Sequence, residues 1–292
     1  MTVDRIDYVD DARIGTVPDV LLQPPPSAPD GWATSPPWFD EAGWVLPMGG
    51  FLLREEGRTI LVDAGLGPYV PDDIGDQVGV PVRHEHSGRL LTSLAELDVA
   101  LEDVTDVVLT HLHGDHVGWV APAGTPVFTK ARHHCHRADF DWLSAVGDTN
   151  PVMAGVETAV RTVSDLLVLA DGDRTELTSS IALRLFAGHT PGNCIVDVST
   201  GQGPVLLLGD TAHHPVLLVE EDWFDNLDED RDEAARARAR IAEEIVRRDA
   251  VGIGAHFPGG RGGRIVVDSN GERRWMPVEN TALSEEQEGT QE

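Results

Sequence analysis

Residues 110–118 read Thr-His-Leu-His-Gly-Asp-His-Val-Gly, so His111, His113, Asp115 and His116 crowd into one short stretch directly after an apolar run. Neutral imidazole is a good ligand for zinc and similar cations, and a carboxylate adds a hard anionic one. In extended backbone successive side chains alternate, so His111 and His113 point the same way. Gly114 lets the chain turn, which allows Asp115 and His116 to address a second position. One peptide can therefore serve two neighbouring cations. The bland alternative is a polar loop with satisfied histidines, and four potential ligands at this spacing argue against it.

Three later residues share that context. His189 lies in Ala187-Gly188-His189-Thr190-Pro191-Gly192, Asp210 ends Leu207-Leu208-Gly209-Asp210, and His256 lies in Gly254-Ala255-His256-Phe257-Pro258. Each follows an apolar run near a glycine, where backbone turns sharply. Thr110 and Asp63 are candidates to fix imidazole orientation from behind. His133-His134-Cys135-His136 is set aside, because adjacent strand residues face opposite ways and cannot converge. His213 and His214 follow Asp210 closely, and one of them is a candidate substrate contact. His84 and His86 are candidates to face the cleft. Trp119, Trp223 and Phe257 flank the ligand motifs as pocket wall or core.

These groups need strand ends to hold them. Strands are expected at residues 3–9, 51–54, 59–63, 106–110, 125–128, 131–135, 181–186, 194–198 and 205–208, from apolar and β-branched runs bounded by turn residues. Helices are expected from a Ser87 cap through Leu97, and over residues 139–146, 150–163 and 229–248. Their irregular alternation, with several hairpins, predicts an α+β fold of two packed sheets with helices outside rather than a doubly wound parallel sheet. Residues 1–40, proline- and tryptophan-rich from 18 onward, read as an N-terminal arm and a candidate homodimer contact. Residues 68–86 read as a long polar loop and 280–292 as a frayed tail. The whole chain, 1–292, is expected to be a single domain.

The net charge of −28 repels phosphate backbones and anionic lipid heads. Nucleic acid and membrane are thus disfavoured as partners, and a small-molecule substrate is expected. Two cysteines are too few for a disulfide scaffold. The charged start Met1-Thr2-Val3-Asp4-Arg5-Ile6-Asp7 has no apolar signal core, and no run approaches the ~20 apolar residues of a membrane span. A cytoplasmic location is expected.

The run from His111 to His116 resembles the H-x-H-x-D-H signature of the metallo-β-lactamase-fold hydrolases. Leu61-Val62-Asp63-Ala64-Gly65 resembles that family's early strand ending in an aspartate turn, and the His189, Asp210 and His256 segments resemble its later ligand motifs in order. The resemblance runs from about residue 44 to 268. It implies a four-layer αββα sandwich with the site at the sheet edges. It also implies two divalent metal ions, zinc first, with iron or manganese as alternatives. His111, His113 and His189 would hold one ion, Asp115, His116 and His256 the other, and Asp210 would bridge them. Asp115 and Asp210 would be the catalytic carboxylates. The order of the C-terminal half, from Asp210 past Asp222-Trp223-Phe224-Asp225 to His256-Phe257-Pro258-Gly259-Gly260, resembles the branch of lactonases and methyl-parathion-hydrolase-like enzymes. The implied function is cleavage of a lactone or other ester bond of a small molecule by a metal-bound hydroxide. An organophosphate triester is the alternative substrate, and a mononuclear-iron dioxygenase the alternative of another class. Lactonases of this branch carry a tyrosine near the metals; here only Tyr8 and Tyr69 exist, neither beside a ligand motif.

Overall fold

The computed structural model describes residues 2–278 except 4, 17, 28–43, 56, 69–81 and 221. Alternation along the central strands sends successive side chains to two different cores. On β3 (Trp44–Glu55), β4 (Arg58–Val62) and β6 (Asp106–Val108), Phe51, Leu53, Ile60, Val62 and Val108 enter one cluster, while Leu52, Leu61 and Val107 enter another. A sheet apolar on both faces must be covered on both.

β1 (Arg5–Thr16), β3, β4, β5 (Val82–His86), β6, β7 (Arg132–His136) and β8 (Leu167–Ala170) form the first sheet, in the order β5-β1-β3-β4-β6-β7-β8. The second contains β9 (Arg174–Glu176), β10 (Ile181–Leu185), β11 (Cys194–Thr200), β12 (Gly203–Leu207), β14 (Val251–Ile253), β15 (Gly263–Val267) and β16 (Arg273–Pro277). Its order is β16-β15-β14-β12-β11-β10-β9. The two sheets pack face to face through Phe51, Val62 and Val108 on one side and Val196, Leu207 and Ile253 on the other. Helices α2 (Leu90–Glu96), α4 (Arg137–Gly147) and α5 (Pro151–Thr162) cover the outer face of the first sheet with Leu94, Leu143 and Val160. Helix α6 (Arg231–Arg248) covers the second, laying Ala237, Ile241 and Ile245 on Leu206 and Leu208. The result is the four-layer αββα, α+β arrangement expected. A two-strand ribbon pairs β2 (Leu22–Gln23), which follows the single-turn α1 (Pro18–Leu21), with β13 (Phe224–Asp225).

Several expected elements are corrected. The strand expected at 3–9 runs further, so that residues 5–16, counted with the arm, form a strand inside the first sheet, paired with β3 from Arg5↔Arg54 to Thr16↔Trp44. Its aspartates hid the second half, because Asp10 pairs with His86 and Asp11 accepts hydrogen bonds from segments distant in sequence. The loop expected over 68–86 ends in β5, which pairs with β1. Residues 125–128 are not a strand. Pro126 cannot donate to a ladder, Val127 N–H instead donates locally to the Val120 carbonyl (3.2 Å), and Phe128 is simply buried. The helix expected from a Ser87 cap starts at Leu90, whose N–H donates to Asp11 Oδ1 (2.9 Å), a carboxylate on β1 that spacing along the helix cannot reveal. Most of the proline–tryptophan segment, including Trp32 and Trp38, and the 280–292 tail lie outside the described residues.

The topology gathers chemistry at one edge. β4 and β6 run parallel, as do β12 and β14. Asp63 and Thr110 follow the first pair, and Asp210 and His256 follow the second. Cys194 N–H donates to the Thr110 carbonyl (2.8 Å), joining the two sheets at this edge.

Candidate metal centre

After β6 the chain turns through Thr110 and His111, and a single helical turn, α3 (Gly114–Val117), begins with His113 at its N-cap. That turn swings Asp115 and His116 back beside His111. The other members arrive from the β10–β11 connection (His189), the end of β12 (Asp210) and the end of β14 (His256). All seven expected residues meet. His113 Nδ1 lies 3.0 Å from His111 Nε2 and 2.9 Å from His189 Nε2. Asp210 Oδ2 lies 3.3 Å from both His116 Nε2 and His256 Nε2, and 3.6 Å from His111 Nε2. Asp115 Oδ2 is 3.3 Å from His256 Nε2 and 3.7 Å from His116 Nε2. Ligand-capable atoms of His111, His113 and His189 cluster within 4.8 Å, as do those of Asp115, His116 and His256, and those of His111, His116 and Asp210.

Protein groups stand behind the rings of His111, His116 and His256. His256 Nδ1 donates to the Pro47 carbonyl (2.9 Å); a carbonyl can only accept, so the proton sits there. Thr110 Oγ1 donates to Asp63 (2.9 Å to Oδ2) and can therefore accept from His111 Nδ1, 3.2 Å away. His116 Nδ1 lies 2.9 Å from Asp63 Oδ2. In neutral rings these contacts leave Nε2 of His111, His116 and His256 as lone pairs directed inward, toward Asp210, whose Oδ1 is buried with no hydrogen-bond partner among the described residues. Converging lone pairs around a buried carboxylate fit divalent cations; they fit neither a dry core nor an aqueous loop. Thr110 and Asp63, expected as orienting residues, occupy that position. Asp63 is held at φ 61°, uncommon outside glycine.

Charge divides the cluster in two. Burial, reinforced by His116, holds His111 well below its ordinary value, and burial with His189 takes His113 down to about 3. Burial also opposes charge on His116, His213 and His256, but carboxylates outweigh it. Asp210, Asp63 and Asp115 hold His116 well above its ordinary value, and Asp210 and Asp115 raise His256 to about 9. Burial likewise opposes the anionic form of Asp210, yet His256, His213 and His116 pull it well below the carboxylate range. In the metal-free protein, then, protons on surrounding imidazoles compensate the buried carboxylates, a service that a cation performs when those protons leave.

His213 is the residue that sequence reasoning weighed too lightly. It is buried, with Nε2 3.0 Å from Asp210 Oδ2 and Nδ1 2.7 Å from Asp225 Oδ2. It lies three residues past Asp210, and only the carboxylate on β13 shows that its ring is fixed. Asp228, ion-paired to Arg238 (2.8 Å), lies 3.6 Å from His189 Nδ1. His214 packs edge-on to Trp44 and accepts the Val216 N–H, away from the cluster. The His133–His136 run does not converge: His134 pairs with Asp106 (2.8 Å), while His136 caps α4 through Ala138 N–H. His86 pairs with Asp10 (2.8 Å), and the His84 side chain lies outside the described residues. Trp119 donates to Asp11, and Trp223 and Phe257 are core. Tyr8 packs edge-on to Phe51, and Tyr69 is outside the described residues. No helix among the described residues is long and apolar enough to cross a membrane.

Comparison with known proteins adds family context. Residues 50–251 match the family model described as "Metallo-beta-lactamase superfamily". The N-acyl homoserine lactonase AiiB of Rhizobium rhizogenes is 29% identical over 175 residues, 56% of this chain and 62% of that protein. The chain thus spans less than two thirds of the length of that curated relative. Among solved structures, the dizinc quorum-quenching lactonase AidC, in complex with a product, superposes with a TM-score of 0.68 at 23% identity, covering 80% of each chain. The hydrolase AbOPH, described as in the beta lactamase superfamily, superposes with a TM-score of 0.76 at 18% identity over 94% of each chain.

Proposed function

Given that this chain belongs to the metallo-β-lactamase superfamily, we propose that it is a metal-dependent hydrolase that opens a lactone or a similar ester of a small, uncharged molecule at a dinuclear centre. The observation that carries the reading is the convergence of inward imidazole nitrogens on Asp210, with the rings of His111, His116 and His256 backed from outside by protein groups. In this reading His111, His113 and His189 would hold one divalent cation and Asp115, His116 and His256 the other, with Asp210 available to both. Zinc suits this nitrogen-rich donor set. When bound, the two cations would polarise the scissile carbonyl and lower the pKa of a shared water.

The chain's own residues do the rest. Asp63 and the Pro47 carbonyl fix the rings of His116 and His256, and Thr110 fixes that of His111, so the donors need no reorganisation. Asp115, 22% exposed where its neighbours are buried, can orient a water or pass a proton to the leaving oxygen. His213, held by Asp225, presents Nε2 beside Asp210 and can hydrogen-bond an oxygen of the bound ester. The substrate class has two supports. The net charge of −28 disfavours anionic substrates, and the related AiiB and AidC are themselves named as lactonases.

Metal analysis of the purified chain, combined with turnover of lactones, aryl esters and phosphotriesters, tests this. About two zinc-like ions per chain, lactone or ester turnover, and its loss in His111→Ala are expected. A single iron with oxygen consumption would overturn the proposal.

A further inference from the structure

The donors assigned to the first cation come from two loops on different sheets. His111 and His113 follow β6 of the first sheet, and His189 sits in the connection between β10 and β11 of the second. One buried carboxylate touches both loops. Asp139, fully buried in the first turn of α4, accepts the Leu112 N–H at Oδ2 (2.8 Å) and the Gly192 N–H at Oδ1 (2.7 Å). Leu112 is the residue between His111 and His113. Gly192 closes the turn that His189 opens, in which Gly188 N–H and Asn193 N–H both donate to the Thr190 carbonyl. The close approach is built in: a Cβ on Gly192 would fall 2.4 Å from Asp139 N and 2.7 Å from Asp139 Cβ. Asp139 contributes no ligand atom, and its oxygens are committed to the two backbone donors. A carboxylate that accepts one N–H from each loop makes charge-assisted bonds, stronger and more directional than neutral ones.

We propose that Asp139 is a positioning residue that sets the distance between the His111/His113 pair and His189, and so determines affinity for the cation those three residues receive. This rests on the dinuclear reading above. Partners that orient metal ligands from behind alter metal affinity about 10–100-fold when removed.

The test is a zinc titration of the metal-stripped full chain against a chromophoric chelator, resolving two dissociation constants. In Asp139→Ala one constant should weaken about 10–100-fold, and the other should stay within about threefold of wild type. Combining Asp139→Ala with His189→Ala should weaken that same constant little beyond His189→Ala alone, because both changes act on one site. Leu143→Ala, a core deletion in the same helix, is the control for general destabilisation and should leave both constants in place. Where Asp139→Ala does not fold, Asp139→Asn, which keeps the shape and one acceptor oxygen, should show the same selective loss on a smaller scale. Two wild-type constants in the Asp139 variants, or equal weakening of both constants in Asp139 and Leu143 variants, would overturn the inference alone. A wild-type chain that takes up no zinc would overturn the dinuclear reading and the inference with it.

Discussion

Removing the Asp11 carboxylate should cost this protein several kcal/mol of stability. Asp11 is fully buried on β1 and accepts four hydrogen bonds: from Leu66 N–H (2.8 Å) and Gly67 N–H (3.0 Å) at Oδ2, and from Leu90 N–H (2.9 Å) and Trp119 Nε1–H (2.8 Å) at Oδ1. It thereby ties the loop after Asp63, the start of α2 and the segment after His116 to one strand. Those segments also bond one another, Ala64 N–H to the His116 carbonyl (2.8 Å) and Gly118 N–H to the Gly65 carbonyl (2.8 Å). Hydrogen bonds to a charged group contribute about 1.5–3 kcal/mol each, so four would sum to roughly 6–12 kcal/mol if independent. They are not independent. Asp11→Ala opens a space that water can enter, and it removes the cost of burying a carboxylate. A net loss of about 3–5 kcal/mol is expected, the range for leaving buried polar partners uncompensated. At about 2–4 °C per kcal/mol for a chain of this class, the melting temperature should fall by roughly 10 °C. Asp11→Asn, which keeps the volume but turns one oxygen into a donor facing N–H groups, should fall nearly as far. Differential scanning calorimetry with and without EDTA measures both variants and separates fold stability from metal binding. Shifts under about 3 °C in both variants would refute the view that this carboxylate, rather than the apolar packing around it, anchors the loops that carry the site.

Other outcomes follow from the same structure. Burial opposes ionisation of Asp106, but hydrogen bonds from His134 and Thr105 and the charge of Arg58 outweigh it and hold its carboxyl at about 2, against an ordinary 3.8. A depressed folded-state pKa contributes stability that is present above the unfolded value and lost as pH falls through the folded one. The stability gap between wild type and Asp106→Asn should therefore be complete at pH 6, shrink below about pH 4 and lose ~2 kcal/mol by pH 2, as read by urea unfolding at each pH. Zinc at 100 times its dissociation constant should raise folding stability by about 2.7 kcal/mol over the EDTA-treated protein, visible as a concentration-dependent melting temperature. Asp63→Ala, which frees the ring of His116, should lower metal affinity or kcat/KM about 10–100-fold while the chain stays folded by circular dichroism.

Much of the site could be read along the chain because its densest part is local. His111, His113, Asp115 and His116 need only one extended segment and one glycine turn to serve two positions, and apolar runs before His189, Asp210 and His256 mark the strand ends that deliver them. Continuous apolar runs in residues 51–54, 59–63 and 205–208 likewise made strands covered on both faces visible. Residues 125–128 misled, because an apolar run around Pro126 looks like a strand until no neighbour is left to pair with it. β1 was underread, because its aspartates obey contacts across the molecule rather than its own periodicity.

Tertiary structure alone decided which group stands behind each imidazole. His256 is fixed by the carbonyl of Pro47, 209 residues away, and His213 is drawn into the cluster by Asp225 on a ribbon paired with β2. Asp11 and Asp139 join segments that spacing does not relate. Sequence specifies ligand chemistry because residue type and local backbone period are properties of the chain itself. The direction of a lone pair depends on partners that meet only after two sheets pack, and no local pattern encodes that meeting.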